Sequence, residues 1–128
     1  MRYLSEQELQ QMSFPDGDVT NFSMNLSNGT LTFTCSDAFV RIKRRWFIDV
    51  HVTVTFDSVK VTEYDAEPGV HKVEVLFSKD YALKDICEFE YSNSTITMRG
   101  YTKGRGFWTE YIFSGAKMAV LCDKTGPG

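Results

Sequence analysis

The chain holds two histidines, His51 and His71, and His51 lies two residues from Asp49. Residues two apart share a face of an extended strand, so a carboxylate would stand beside an imidazole. Such a pair can orient a general base or supply part of a metal site. Either chemistry needs more: a Ser or Cys nucleophile in a recognisable turn, or a His-x-His or His-Glu-x-x-His spacing. None occurs in the sequence. A polar strand face that includes a histidine explains the pair more simply. The expectation is therefore no enzyme, no cofactor and no metal, with a hydrolase using Asp49 and His51 as the catalytic alternative.

Two stretches combine cations with rings. Arg41-Ile42-Lys43-Arg44-Arg45-Trp46 offers four cations and an indole, which suit phosphate or an acidic partner. If a strand runs through it, Arg41, Lys43 and Arg45 share its outer face while Val40 and Ile42 point inward. A charged edge strand that resists edge-to-edge pairing is the plainer reading. Gly100-Tyr101-Thr102-Lys103-Gly104-Arg105-Gly106-Phe107-Trp108 has the glycines and cations of a phosphate loop. It lacks the Walker spacing and a following helix, and reads as a mobile hairpin connection. Its Trp, Tyr and Arg content fits a protein-binding hot spot. The expected contact residues are Arg44, Arg45, Trp46, Tyr101, Arg105, Phe107 and Trp108. Acidic residues gather at Glu63, Asp65 and Glu67 and at Asp80, Asp85, Glu88 and Glu90, without calcium-loop spacing. They suit a basic protein partner or a solvated surface equally well.

The elements that must position these groups are strands. In Trp46–Phe56, Ile48, Val50, Val52, Val54 and Phe56 fall on one side, and Asp49, His51, Thr53 and Thr55 on the other. Upstream, Phe22, Met24 and Leu26 alternate before Asn28-Gly29, and Leu31, Phe33 and Cys35 alternate after it. Asn-Gly favours a two-residue type I′ turn, which pairs Leu26 with Leu31, Met24 with Phe33 and Phe22 with Cys35. Phe56-Asp57-Ser58-Val59 breaks the alternation and predicts a bulge or tight turn. Further strands follow through Val73–Phe77, Cys87–Tyr91, Ile96–Met98, Phe107–Phe113 and Met118–Cys122, with a turn at Ser92-Asn93-Ser94 and a helical turn near Tyr81–Asp85. The Phe107–Phe113 strand carries rings on both faces and should be central or partly covered on both sides. Ser5-Glu6-Gln7-Glu8 matches a capping box, and Leu4 with Leu9 a hydrophobic staple, for a short helix over about residues 6–12. Residues 124–128 read as a disordered tail. Eight to ten short strands without long helices between them make one all-β domain over 1–128, an antiparallel sandwich or flattened barrel.

A chain of 128 residues buries enough surface to fold without a disulfide or metal. Its net charge of −3 argues against a general nucleic-acid binder, which gains its affinity by neutralising phosphates. No apolar run spans a membrane, and Met1–Glu6 lacks the apolar core of a signal peptide. Three cysteines without C-x-x-C spacing point to thiols in a cytoplasmic protein.

Phe14-Pro15-Asp16-Gly17-Asp18-Val19 before the hairpin, Phe56-Asp57-Ser58-Val59, Ile96–Tyr101 and Trp108–Gly115 together resemble short bacterial β-rich proteins. Many of these are uncharacterised, and some are classed as immunity proteins of polymorphic toxin systems. Members often carry His-Asp where this chain has Pro15-Asp16. The resemblance implies a β-sandwich and a protein-binding role, and it carries over no functional residue. The expected function is a non-enzymatic protein-binding domain whose partner is another protein, such as a toxin domain. A sandwich or barrel enclosing a small apolar or glycan-like ligand is the alternative.

Overall fold

Alternating apolar and polar residues can bury one side of each strand only if two sheets face each other, and they do. A computed structural model describes residues 2–64 and 72–125. The strands are β1 (Arg2–Tyr3), β2 (Met12–Ser13), β3 (Gly17–Asn25), β4 (Thr30–Val40), β5 (Arg45–Thr55) and β6 (Ser58–Tyr64). They continue as β7 (Lys72–Val75), β8 (Asp85–Ile86), β9 (Glu88–Ser92), β10 (Thr95–Tyr101), β11 (Trp108–Ser114) and β12 (Lys117–Thr125). One sheet runs β1-β12-β5-β4-β3-β8, with β2 also on β4, and the other runs β7-β6-β11-β10-β9. Every pairing is antiparallel. The result is an all-β sandwich, not a closed barrel.

The sheets join along one edge. Lys84 accepts from the Val19 N–H at 2.9 Å on the first sheet and donates to the Tyr101 carbonyl at 2.9 Å on the second. Gly100 permits this crossing, because a Cβ there would lie 2.2 Å from the Asp85 carbonyl oxygen. Rings fill the space between the sheets: Phe22 meets Phe33 at 5.9 Å and Tyr111 at 5.5 Å, and Phe113 meets Phe56 at 5.0 Å. β11, with rings on both faces, is the middle strand of its sheet, as its sequence predicts.

Ser5 caps α1 (Glu6–Leu9) with the full capping box, and Leu4 and Leu9 are buried. The helix ends sooner than expected because the chain enters β2 at Met12. The break at Phe56-Asp57 carries the chain from one sheet to the other, with Asp57 N–H bonded to the Ser114 carbonyl. The helical turn expected over Tyr81–Asp85 lies earlier, at Lys79–Tyr81. Lys124 and Thr125, expected in a disordered tail, pair with Ile48 and Phe47 in the β5–β12 ladder. Asp65-Ala66-Glu67-Pro68-Gly69, which reads as a plain loop, His71 and residues 126–128 lie outside the described residues.

The β3–β4 hairpin departs from its predicted register. Met24 pairs with Leu31 and Asn25 with Thr30, so the loop is Leu26–Gly29 and Leu26 is 53% exposed. The Asn25 carboxamide oxygen accepts from the Ser27 and Asn28 amides, which organises a four-residue loop from within. Nearer its start, β3 bulges between Thr20 and Ser23, with Asn21 at φ 55°. The extra residue lets both Val19 and Phe22 turn toward the core, and Val19, not Phe22, faces Cys35.

β5 is likewise less regular than its alternation suggests. Asp49 has φ 52°, and it drops out of the ladders with both β4 and β12. Beyond this kink the inward side changes parity: Val50, Val52 and Val54 are buried on one side of it, and Phe47 rather than Ile48 on the other. Ala38 and Val40 of β4 turn inward at the same place and join Leu4, Leu9 and Met12 in the core.

Candidate functional site

Asp49 and His51 do line one cleft. It measures about 430 Å³ and is completed by Asp18, Thr20, Thr34, Cys35 and Ser36. Ladder register sets the polar row, since Thr34 lies opposite both Thr20 and His51. Thr20 and Thr34 hydroxyls share a 2.8 Å hydrogen bond, while no hydrogen bond joins Asp49 to His51 among the described residues. The thiol in the cleft is not an activated nucleophile. Burial pushes Cys35 up to about 11, and its Sγ donates to the Asp37 carbonyl at 3.4 Å. No group of three or more His, Cys, Asp or Glu among the described residues could hold a metal ion.

The Arg41–Trp46 stretch is not one through-running strand. β4 ends at Val40, Arg41–Lys43 form a 3-10 turn, Arg44 takes the left-handed conformation at φ 50°, and β5 starts at Arg45. The basic residues therefore occupy a hairpin tip. Ile42, expected to face inward, is 51% exposed at its apex. Arg41 Nε and Nη2 donate to Gln11 Oε1 at 3.1 and 2.9 Å. Lys43 Nζ reaches Glu8 Oε2 at 3.2 Å, and Arg2 Nη2 reaches the same oxygen at 2.8 Å. Burial alone would raise the Glu8 carboxyl, but the Ser5 amide, Arg2, Lys43 and the Ser5 hydroxyl outweigh it and hold it at about 2. Arg44 and Arg45 are exposed and have no ion pair among the described residues, and Trp46 lies across the ladder from Phe39 with ring centroids 5.2 Å apart.

The Gly100–Gly106 connection, predicted to be mobile, is pinned. Thr102 is fully buried, and its hydroxyl accepts from the Gly106 amide at 3.1 Å. Lys103 N–H bonds the Ala82 carbonyl at 2.9 Å, and Gly104 packs against Asp80. The pinned loop splits the four predicted contact residues into two pairs. Tyr101 and Trp108 are cross-strand partners with rings edge-on at 5.2 Å, and Lys84 Nζ stands 6.0 Å over Tyr101. Arg105 instead covers Tyr81 and Phe107, each at 5.6 Å, and donates to both Glu63 carboxylate oxygens. Its guanidinium is thus occupied within the molecule. Glu88 is occupied too, because Arg99 bridges it to Glu110 along one row of β9-β10-β11 at 2.9 and 2.7 Å.

No hydrogen bond, ion pair or ring contact links the tip residues Arg44, Arg45 and Trp46 to Tyr101, Arg105, Phe107 or Trp108 among the described residues. They form two separate surfaces. Sequence reasoning did not place Glu8, Gln11, Glu63 or Tyr81 at these surfaces, which they hold in place. Glu8 had a signal as the last residue of the capping box, and Glu63 as a member of an acidic cluster, but neither named its partner. No helix among the described residues is long and apolar enough to cross a membrane. Comparison of the chain with models of known families, with curated proteins and with solved structures gives no match.

Proposed function

We propose that this chain is a non-enzymatic, cytoplasmic protein-binding domain, of the kind that neutralises a toxin domain by occluding it. The observation that carries this reading is the Tyr101–Trp108 pair. Tyr101 is 42% exposed, Trp108 is half-buried against it, and the connection between them is fixed by the Thr102 and Lys103 hydrogen bonds. Large rings held on a rigid hairpin lose little freedom on association, which is what a binding hot spot requires. The enclosed-ligand alternative has less support, because Phe22, Phe33, Tyr111 and Phe113 occupy the space between the sheets. The hydrolase alternative lacks an activated nucleophile beside Asp49 and His51.

The test is affinity capture from lysate of the native organism on immobilised domain at moderate salt. One stoichiometric protein, retained by the wild type and lost by a Tyr101→Ala/Trp108→Ala variant of unchanged melting temperature, is the expected result. Retention by both, or by neither, would overturn the reading.

A further inference from the structure

The hairpin tip carries a charge opposite to the rest of the chain. Arg2, Arg41, Lys43, Arg44 and Arg45 gather there with Glu6 and Glu8, and Glu90 lines one pocket with Arg41. Five cations less three carboxylates is +2, which leaves −5 on the remainder of a chain of net −3. Among the described residues the local excess is only partly neutralised by ion pairs. One buried carboxylate, Glu8, serves both Arg2 and Lys43, and Arg41 spends its bonds on the uncharged Gln11 side chain. Arg44 and Arg45 remain exposed around the half-exposed apex Ile42, with the Phe39–Trp46 ring pair beside them.

We infer that this tip is a docking surface for a carboxylate-rich patch on a protein partner, with Arg44 and Arg45 as the anchors and Ile42 as the apolar centre. The inference rests on the protein-binding reading and names the partner's chemistry at a second surface. Guanidinium groups match carboxylates through paired N–H donors, and a central apolar residue ringed by them is the anatomy of a protein interface. Charge decides against extended polyanions. Proteins that hold nucleic acid electrostatically make roughly six to ten phosphate contacts, and the tip offers three cations without an ion pair among the described residues, Arg41, Arg44 and Arg45. The −5 body would also repel a nucleic acid or an anionic bilayer that extends past the tip, whereas a bounded acidic patch meets the tip alone and is oriented by the charge asymmetry.

The backbone supplies clean variants. Arg44 sits at φ 50°, so Arg44→Gly removes the side chain and suits the turn. Binding of a short fluorescein-labelled peptide rich in Glu and Asp, with one central Leu, is measured by anisotropy at low salt. It is set against phosphatidylserine vesicles and an oligouridylate, and amide shifts are followed by NMR. The expected result is peptide binding with shifts confined to Arg41–Trp46, and a loss of at least roughly tenfold in affinity for the Arg44→Gly/Arg45→Gln variant. Arg45→Lys, which keeps the charge but not the fork, should fall between them. Equal affinity in the double variant, no peptide binding, or tighter binding of vesicles or oligouridylate through the same residues would overturn the inference. Such a failure beside a successful capture dependent on Tyr101 and Trp108 would leave the protein-binding reading standing. The reverse pattern would remove that reading and keep the tip's chemistry.

Discussion

Lys43, at the apex of the β4–β5 hairpin, reaches the buried Glu8 carboxylate of the N-terminal helix at 3.2 Å. With Arg2 on the same oxygen, one side chain ties β1, α1 and the hairpin tip together. Glu8 is 2% exposed and its carboxyl is held at about 2, against an ordinary 4.5. A carboxyl depressed by folding stabilises the native state above its unfolded value and loses that contribution as pH falls through the folded value. The window is therefore about pH 4.5 down to about 2. The contribution at neutral pH is about 3 kcal/mol as an upper bound, since the Arg2 and Lys43 side chains are about half exposed and screened by water. Thermal melts from pH 7 to 2 should show a smaller loss of stability on acidification in Glu8→Gln than in the wild type. Parallel curves for the two proteins would contradict the assignment.

The Tyr111 hydroxyl, buried between the sheets, donates to the Tyr81 carbonyl, and burial drives its ionisation far above the ordinary phenol range. This bond fixes the Lys79–Tyr81 turn over the ring core. Tyr111→Phe keeps the ring and strands the carbonyl, which destabilises by about 1–3 kcal/mol. Urea unfolding should show a lower midpoint at unchanged slope. The amides of the Tyr81 turn should also exchange faster than in the wild type.

How far the sequence could be read depends on what alternation encodes. Period-two patterning sets which side of a strand is buried, but a slip of two residues leaves every side chain on its face. The β3–β4 hairpin slips by two relative to an Asn28-Gly29 turn, so Met24 and Leu31 still share a face and only Leu26 is lost to solvent. Gly29 does adopt φ 64°, but as the last residue of a longer loop whose carbonyl accepts from Phe56. The two-residue turn with both central residues at positive φ occurs at Asn93-Ser94 instead, at φ 53° and 60° between Ser92 and Thr95. The tip was illegible for a related reason. Val40 and Ile42 keep the alternation into Arg41–Lys43, but Arg41 bonds Gln11, thirty residues away in sequence, and the Arg44 N–H closes the turn on the Arg41 carbonyl. The shared cleft of Asp49 and His51 was legible from their spacing, whereas the Tyr101–Trp108 pairing depends on the β10–β11 register, which reading Gly100–Gly106 as a mobile connection left open.

Cys35 and Cys87 should behave as inert thiols. Burial pushes Cys35 up to about 11, and burial followed by the Asp85 charge pushes Cys87 up to about 12. At pH 8 the native thiolate fraction lies below that of an ordinary cysteine by on the order of a hundredfold at Cys35 and a thousandfold at Cys87. Alkylation by iodoacetamide, mapped by mass spectrometry, should be slow at both positions in the native protein and rapid in urea. Rapid native labelling of Cys35 would mean that its side of the Asp49–His51 cleft opens.

Asp49 holds the kink of β5 in a left-handed conformation that few residues adopt without strain. Asp, Asn and Gly tolerate it, while a β-branched side chain does not. The kink is what turns Phe47 into the core after Val50, so the conformation cannot relax without exposing one of them. Asp49→Asn and Asp49→Gly should leave stability within about 1 kcal/mol of the wild type, whereas Asp49→Val should destabilise by about 1–2 kcal/mol or more. Valine would raise the local strand propensity, so propensity alone predicts the opposite order. Urea midpoints for the three variants separate the two accounts. A stabilised Asp49→Val protein would show that β5 can run straight and that the parity change at Phe47 is not imposed by residue 49.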